Sequence, residues 1–193
     1  MITRLRALFS KKDVTTESVD LNEATREVIA LLRSELQRSR VILRTELADP
    51  LSPVAGDRVQ IQQVILNLLR NASDAMRGVD DRPRTLLIRT GEDEDDCARL
   101  SVQDAGVGFE PQAASRLFEP FYTTKPGGMG IGLSVSRSII ESHQGRLWAA
   151  PNDGPGATFS FSIPRSHERV TGAHSLDAIP KPMMAASHVM RNS

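Results

Sequence analysis

Asn67 and Asn71 stand four residues apart in the segment LNLLRNASDAM (66–76), a spacing that sets both amides on one face of a helix. A neutral amide oxygen can coordinate Mg²⁺ without adding negative charge beside a triphosphate. Further on, DAGVGF (104–109) places Asp104 just ahead of Gly106 and Gly108. A carboxylate there can accept a hydrogen bond from an exocyclic amine, and the glycines let a flat ring approach the backbone. Adenine offers that amine, whereas guanine presents a carbonyl oxygen in the corresponding place. Sites built on such a bond can reject the wrong partner by roughly 10⁴ or more, so ATP is expected over GTP.

Two more segments carry chemistry. In GGMGIGLSVS (127–136), Gly127, Gly128, Gly130 and Gly132 open a helix. Exposed backbone N–H groups and a positive helix N-terminus suit phosphates. The Lys and Ser/Thr of a Walker A loop are missing, and the spacing is not that of a Rossmann fingerprint. Just before it, LFEPFYTTK (117–125) has the make-up of a lid. Phe118, Phe121 and Tyr122 are aromatic anchors at one end, Thr123, Thr124 and Lys125 supply hydroxyls and a cation, and the glycines give flexibility. Thr158, in GATF (156–159), could reinforce adenine recognition. Each segment alone has a plainer reading: a surface asparagine pair, an ordinary Asp-Ala-Gly turn, a glycine hinge, a β-forming threonine. Occurring together, in order, they point to one nucleotide pocket.

Elements must position these residues. Asp20 followed by Glu23 predicts a capped helix over 21–38, with Leu21, Ala24, Val28, Leu31 and Leu32 on its inner side. VILRTEL (41–47) reads as a strand, and Pro50, Pro53 and Gly56 mark a loop. Asp57 caps a second helix to about Met76, with an apolar face of Val59, Ile61, Val64, Ile65, Leu68, Leu69 and Ala72. TLLIRT (85–90) and ARLSVQ (98–103) are strands joined by GEDEDD, whose charges read as a solvated hairpin tip. A short helix is expected near 111–118, another from Ile131 to about Ser142, and a last strand pair in GRLWAA and ATFSFSIP. The expected core is 20–164, an α+β layer with helices on one face of a mixed sheet. Residues 165–193 lack periodicity and read as a disordered tail.

With these motifs in hand, the chain resembles the ATP-binding catalytic domain of bacterial sensor histidine kinases, in the GHKL superfamily. LNLLRNASDAM is similar to the N box, DAGVGF to the G1 box, LFEPFYTTK to the F box, GGMGIGLSVS to the G2 box and GATF to the G3 element. The wording LLRNASDAM with FEPFYTTK is similar to the nitrogen- and oxygen-sensing subgroup. The resemblance implies a Bergerat fold, a two-layer α+β sandwich of a mixed five-stranded sheet and three helices, holding ATP beneath a mobile lid. It implies that Asn71 binds Mg²⁺, that Asn67 and Lys125 assist at the phosphates, and that Asp104 reads adenine between Gly106 and Gly108. Gly128, Gly130 and Gly132 would cover the phosphates and Thr158 would support the base. Asp74, Phe118, Thr124, Ile131 and Leu133 fall in the same boxes and join the implied contacts.

ATP-hydrolysing relatives carry a glutamate four residues before the magnesium asparagine. Here that position is Asn67, which cannot serve as a general base, so transfer to histidine is favoured over hydrolysis. The family's acceptor histidine lies on a dimerising helical hairpin followed by an acidic residue and a proline, and no such segment occurs here. His143 is expected to pack, while His167, His174 and His188 lie in the tail. MITRLRALFS resembles the end of a hairpin helix, so residues 1–19 read as that end plus a linker, and the chain reads as part of a larger sensor. The implied partners are an acceptor hairpin and a response-regulator receiver domain; without the hairpin a monomer is expected. A non-catalytic ATP-binding module and a GHKL ATPase remain the competing readings.

Bulk composition is compatible with this. The 193 residues include 24 basic and 24 acidic ones, so no net field argues for nucleic acid or an anionic membrane. No apolar run reaches the ~20 residues that span a bilayer. A single cysteine, Cys97, leaves no intrachain disulfide and fits a reducing, cytoplasmic setting.

Overall fold

A computed structural model describes residues 17–123 and 129–166. In chain order it comprises β1 (Glu17–Val19), α1 (Leu21–Arg38), β2 (Ile42–Leu47), β3 (Val54–Gly56), α2 (Arg58–Ala75), β4 (Thr85–Asp93), β5 (Cys97–Asp104), α3 (Gly132–Ser142), β6 (Arg146–Pro151) and β7 (Ala157–Pro164). Aspartate caps begin the two long helices. Asp20 accepts from the Glu23 N–H at 2.9 Å, and Asp57 accepts from the Gln60 N–H at 3.1 Å, each satisfying a donor that has no partner within the helix.

The main sheet runs β2-β4-β5-β7-β6. Only β2 and β4 pair in parallel; the remaining neighbours are antiparallel. One face is apolar and carries α1, α2 and α3. Along β4 the inward row is Leu86, Ile88 and Thr90, and along β5 it is Ala98, Leu100, Val102 and Asp104, all buried. The other row is polar: Arg89 bonds Glu46 and Gln103, and the hydroxyls of Ser101 and Ser160 lie 2.9 Å apart. Such alternation is expected of a sheet with one wet face. Its consequence is that Asp104 closes the inward row of β5.

Three expectations need correction. Residues 17–19 and 54–56 form a small antiparallel sheet rather than linker and loop; three-residue strands are too short to show alternation. Leu31 and Val59 are 76% and 71% exposed. The row of α1 that meets the core is Leu21, Ala24, Val28, Leu32 and Leu36, and Val59 stands in the first turn of α2, beside that helix's buried row. Residues 111–118 make two single 3₁₀ turns, Pro111–Ala113 and Arg116–Phe118, neither with a side-chain cap, because so short a segment cannot offset helix nucleation. The acidic hairpin tip is solvent-exposed, as expected, with Arg165 pairing Glu92 and Asp96 at its surface.

His143 packs, as expected. It is buried at the end of α3, where its Nε2 accepts from the Asp57 N–H at 2.9 Å and its Nδ1 lies 2.7 Å from the Ile139 carbonyl. The Asp57 donor fixes Nε2 as acceptor and Nδ1 as the protonated nitrogen. One imidazole thereby ties the end of α3 to the start of α2.

Candidate nucleotide site

Asp104 is 3% exposed. Its Oδ1 accepts from the Gly106 N–H at 2.8 Å, folding the carboxylate over the turn that leaves β5. The glycines around it answer to close backbone approaches. A Cβ on Gly106 would stand 2.7 Å from the Ala75 carbonyl at the end of α2, and one on Gly156 would stand 2.0 Å from the Asp104 carbonyl. Gly108 and Gly156 also hold positive φ, 66° and 93°, which only glycine adopts without strain. Asp104, Gly106, Gly108 and Gly156 therefore form one knot at the ends of β5, α2 and β7.

A second group gathers where α2 meets α3. Asn67 donates from Nδ2 to the Ser136 hydroxyl at 2.9 Å, and a Cβ on Gly132 would lie 2.5 Å from Asn67 Oδ1. This puts Asn67 beside the first turn of α3, with Leu133 packed against the core. That turn differs from those of α1 and α2. Its N-cap position is Ile131, which offers no side-chain acceptor, so the leading N–H groups have neither intrahelical nor capping partners. Asn71 lies one helical turn beyond Asn67, half-buried. Asp74, a further turn along, pairs with Arg77 at 2.9 Å.

Phe118 is buried in the core with the Arg137 guanidinium of α3 over its ring at 5.7 Å, and Arg116 sits 4.7 Å over Tyr122. These two rings are the anchors. Phe121, expected to join them, is 76% exposed, its backbone held at φ 66°. Its N–H donates to the Gly130 carbonyl at 3.0 Å, and Gly130, at φ 64°, approaches too closely for any Cβ. The two ends of the intervening segment are thus joined. Thr124, Lys125, Gly127 and Gly128 lie outside the described residues.

Thr158 comes to the base end indirectly. Its hydroxyl donates to Asn152 Oδ1 at 2.8 Å, and the Asn152 amide donates to the Asp104 carbonyl at 2.9 Å and to Pro155 O at 3.0 Å. The Thr158 oxygen is left able to accept only. Sequence reasoning passed over Asn152, Ser136 and Arg82, the last of which bonds the carbonyls of Ala105 and Gly106. Asn152 does stand in a PNDGPG turn, a composition that hints at backbone bonding; nothing around Ser136 or Arg82 signals a role. A hollow of about 510 Å³ between α1 and β2, lined by Arg26, Arg33 and Leu43 among others, contains none of the predicted residues.

Known proteins share this chain's sequence pattern and fold. Residues 56–167 match the family of histidine kinase-, DNA gyrase B- and HSP90-like ATPases. The chain is 40% identical over 168 residues to the sensor protein FixL of Bradyrhizobium diazoefficiens, covering 87% of this chain and 33% of that protein. It is similar in structure to the catalytic domain of the histidine kinase ThkA, with a TM-score of 0.68 and 33% identity over 78% of this chain and 95% of that one. The complex of ThkA with the response regulator protein TrrA also matches, with a TM-score of 0.68, 29% identity and coverage of 85% and 46%. The chain spans about a third of the length of curated relatives such as FixL.

Proposed function

Because the chain belongs to the family of histidine kinase-, DNA gyrase B- and HSP90-like ATPases, we propose that it acts as the ATP-binding catalytic domain of a sensor histidine kinase. In this reading it moves the γ-phosphate of ATP to a histidine on a separate helical hairpin, from which a response-regulator receiver domain accepts it on aspartate. The observation that carries the reading is the buried Asp104 carboxylate closing the inward row of β5, ringed by glycines. A buried acceptor so placed, beside glycines that let a flat ring approach the backbone, is suited to receive the adenine amine.

The phosphates belong at the uncapped first turn of α3, whose N–H groups and dipole favour anions. Asn67, beside that turn, would orient them, Asn71 would hold Mg²⁺, and Lys125 would add charge from the lid. The donor set fits the ion, because amide oxygens bind hard cations. When bound, Mg²⁺ would neutralise charge on the phosphate oxygens. Asn71→Ala should then lower affinity for ATP in the presence of Mg²⁺ by more than in its absence; an equal loss would remove Asn71 from that role.

Asn67 also argues about the outcome of the reaction. An amide cannot take a proton from water, whereas a histidine nucleophile requires no base when neutral. Phosphoryl transfer then depends on positioning, and steady hydrolysis should be slow. His143 is not the acceptor in this reading, since both its ring nitrogens are engaged. We place the reaction in the cytoplasm, where ATP is supplied, and no described helix is long and apolar enough to cross a membrane. The test is to mix the chain with Mg·ATP and a separately supplied acceptor hairpin. Acid-labile phosphate on the hairpin supports the proposal; sustained phosphate release without an acceptor would favour an ATPase instead.

A further inference from the structure

The turn that follows β5 is tied down by backbone hydrogen bonds. The N–H groups of Ala105, Gly106 and Val107 donate to Thr85 O at 3.2 Å, Asp104 Oδ1 at 2.8 Å and Ala75 O at 3.2 Å. The Asp104 carbonyl receives Asn152 Nδ2 at 2.9 Å. Two carbonyls remain, those of Ala105 and Gly106. Both are taken by one side chain, with Arg82 Nε on Ala105 O at 3.0 Å and Nη2 on Gly106 O at 2.8 Å. The guanidinium is itself held by Asp81, whose two oxygens each lie 3.0 Å from Nη1.

From this geometry we infer that Arg82 is a positioning residue for base recognition, fixing the two peptides whose orientation presents the Asp104 carboxylate. The inference rests on the nucleotide reading of Asp104. Rotating the Ala105–Gly106 peptide would carry the Gly106 N–H away from Asp104 Oδ1, because a turn this tight has no independent way to move one group. A guanidinium is the side chain that can span both carbonyls, since its planar fork presents several donors in fixed directions. A lysine ammonium keeps the charge but is a single point on a flexible stem. The bonds cross from the loop before β4 to the turn after β5. Arg82 touches no ligand in this scheme; it acts through the backbone.

The test compares wild type with Arg82→Lys and Arg82→Gln, each titrated calorimetrically with Mg·ATP and with Mg·tripolyphosphate, after measurement of the thermal midpoint. Wild type is expected to bind both. In the variants, ATP affinity should fall roughly tenfold, the scale of one lost charge-assisted hydrogen bond. Tripolyphosphate affinity should stay unchanged, because the phosphates meet α3 rather than this turn. Unchanged ATP affinity in the folded variants would overturn the inference, whatever the midpoint does. So would equal losses for both ligands, or a Lys variant that no longer folds, since each makes Arg82 a general stabiliser. Failure of wild type itself to bind ATP would instead overturn the nucleotide reading on which the inference rests.

Discussion

Asp104 shows how burial and a backbone bond set a single side chain. One carboxylate oxygen is bonded to the Gly106 amide, and burial of the group in a row of aliphatic side chains strengthens the hydrogen bonds it accepts. Asp104→Asn preserves an oxygen for Gly106 but replaces an acceptor with a donor. ATP affinity should fall at least tenfold while the thermal midpoint moves little, measured by calorimetry and thermal melting on the same sample. Equal ATP affinity would mean that the base is read elsewhere. Cys97 makes a different residue-scale prediction. Burial, reinforced by Asp93, Asp95 and Asp96, pushes its thiol above the ordinary range. The thiolate is the reactive form, so alkylation at neutral pH should be slower than for an unperturbed thiol and should accelerate only as pH rises beyond that range. Rapid labelling at pH 7 would contradict this.

Between elements, two joints carry the site. His143 connects the end of α3 to the N-cap of α2, with Gly56 packed so close that a Cβ would lie 2.5 Å from the imidazole. His143→Ala should cost about 1–3 kcal/mol by leaving the Asp57 N–H without its acceptor; denaturant melting would measure it, and an unchanged midpoint would argue against the joint. Gly156→Ala should be harsher, about 2 kcal/mol or more, because positive φ and a 2.0 Å approach to the Asp104 carbonyl coincide there. Much of this scale was legible in the sequence. The Asp20 and Asp57 caps and the apolar spacing set α1 and α2 closely, since capping chemistry and periodicity are local. What was not legible depends on distant partners. Strands β1 and β3 exist by pairing with each other, Leu31 lies on α1 away from the sheet, and Asn152 matters for a carbonyl 48 positions earlier.

At the scale of the molecule, one layer of helices against one sheet face brings the ends of β5, α2 and β7 together with the start of α3. The described motif residues lie in two groups, one about Asp104 and one about Asn67, whereas in the sequence only a single nucleotide pocket was legible. The bonds from Arg82 and from Asn152 that lock the first group were not, because an arginine or asparagine bonded to backbone leaves no pattern. Incubated alone with labelled ATP, the chain should take up no acid-labile phosphate on His143, whose nitrogens are occupied; incorporation mapped to that residue by peptide analysis would contradict the packing role. The most direct test of the account is calorimetric titration with ATP and with GTP, each with Mg²⁺. Saturable binding of ATP, with GTP at least ~100-fold weaker, is the expected result. Binding of both nucleotides with equal affinity would contradict the claim that Asp104 reads adenine at the heart of this site.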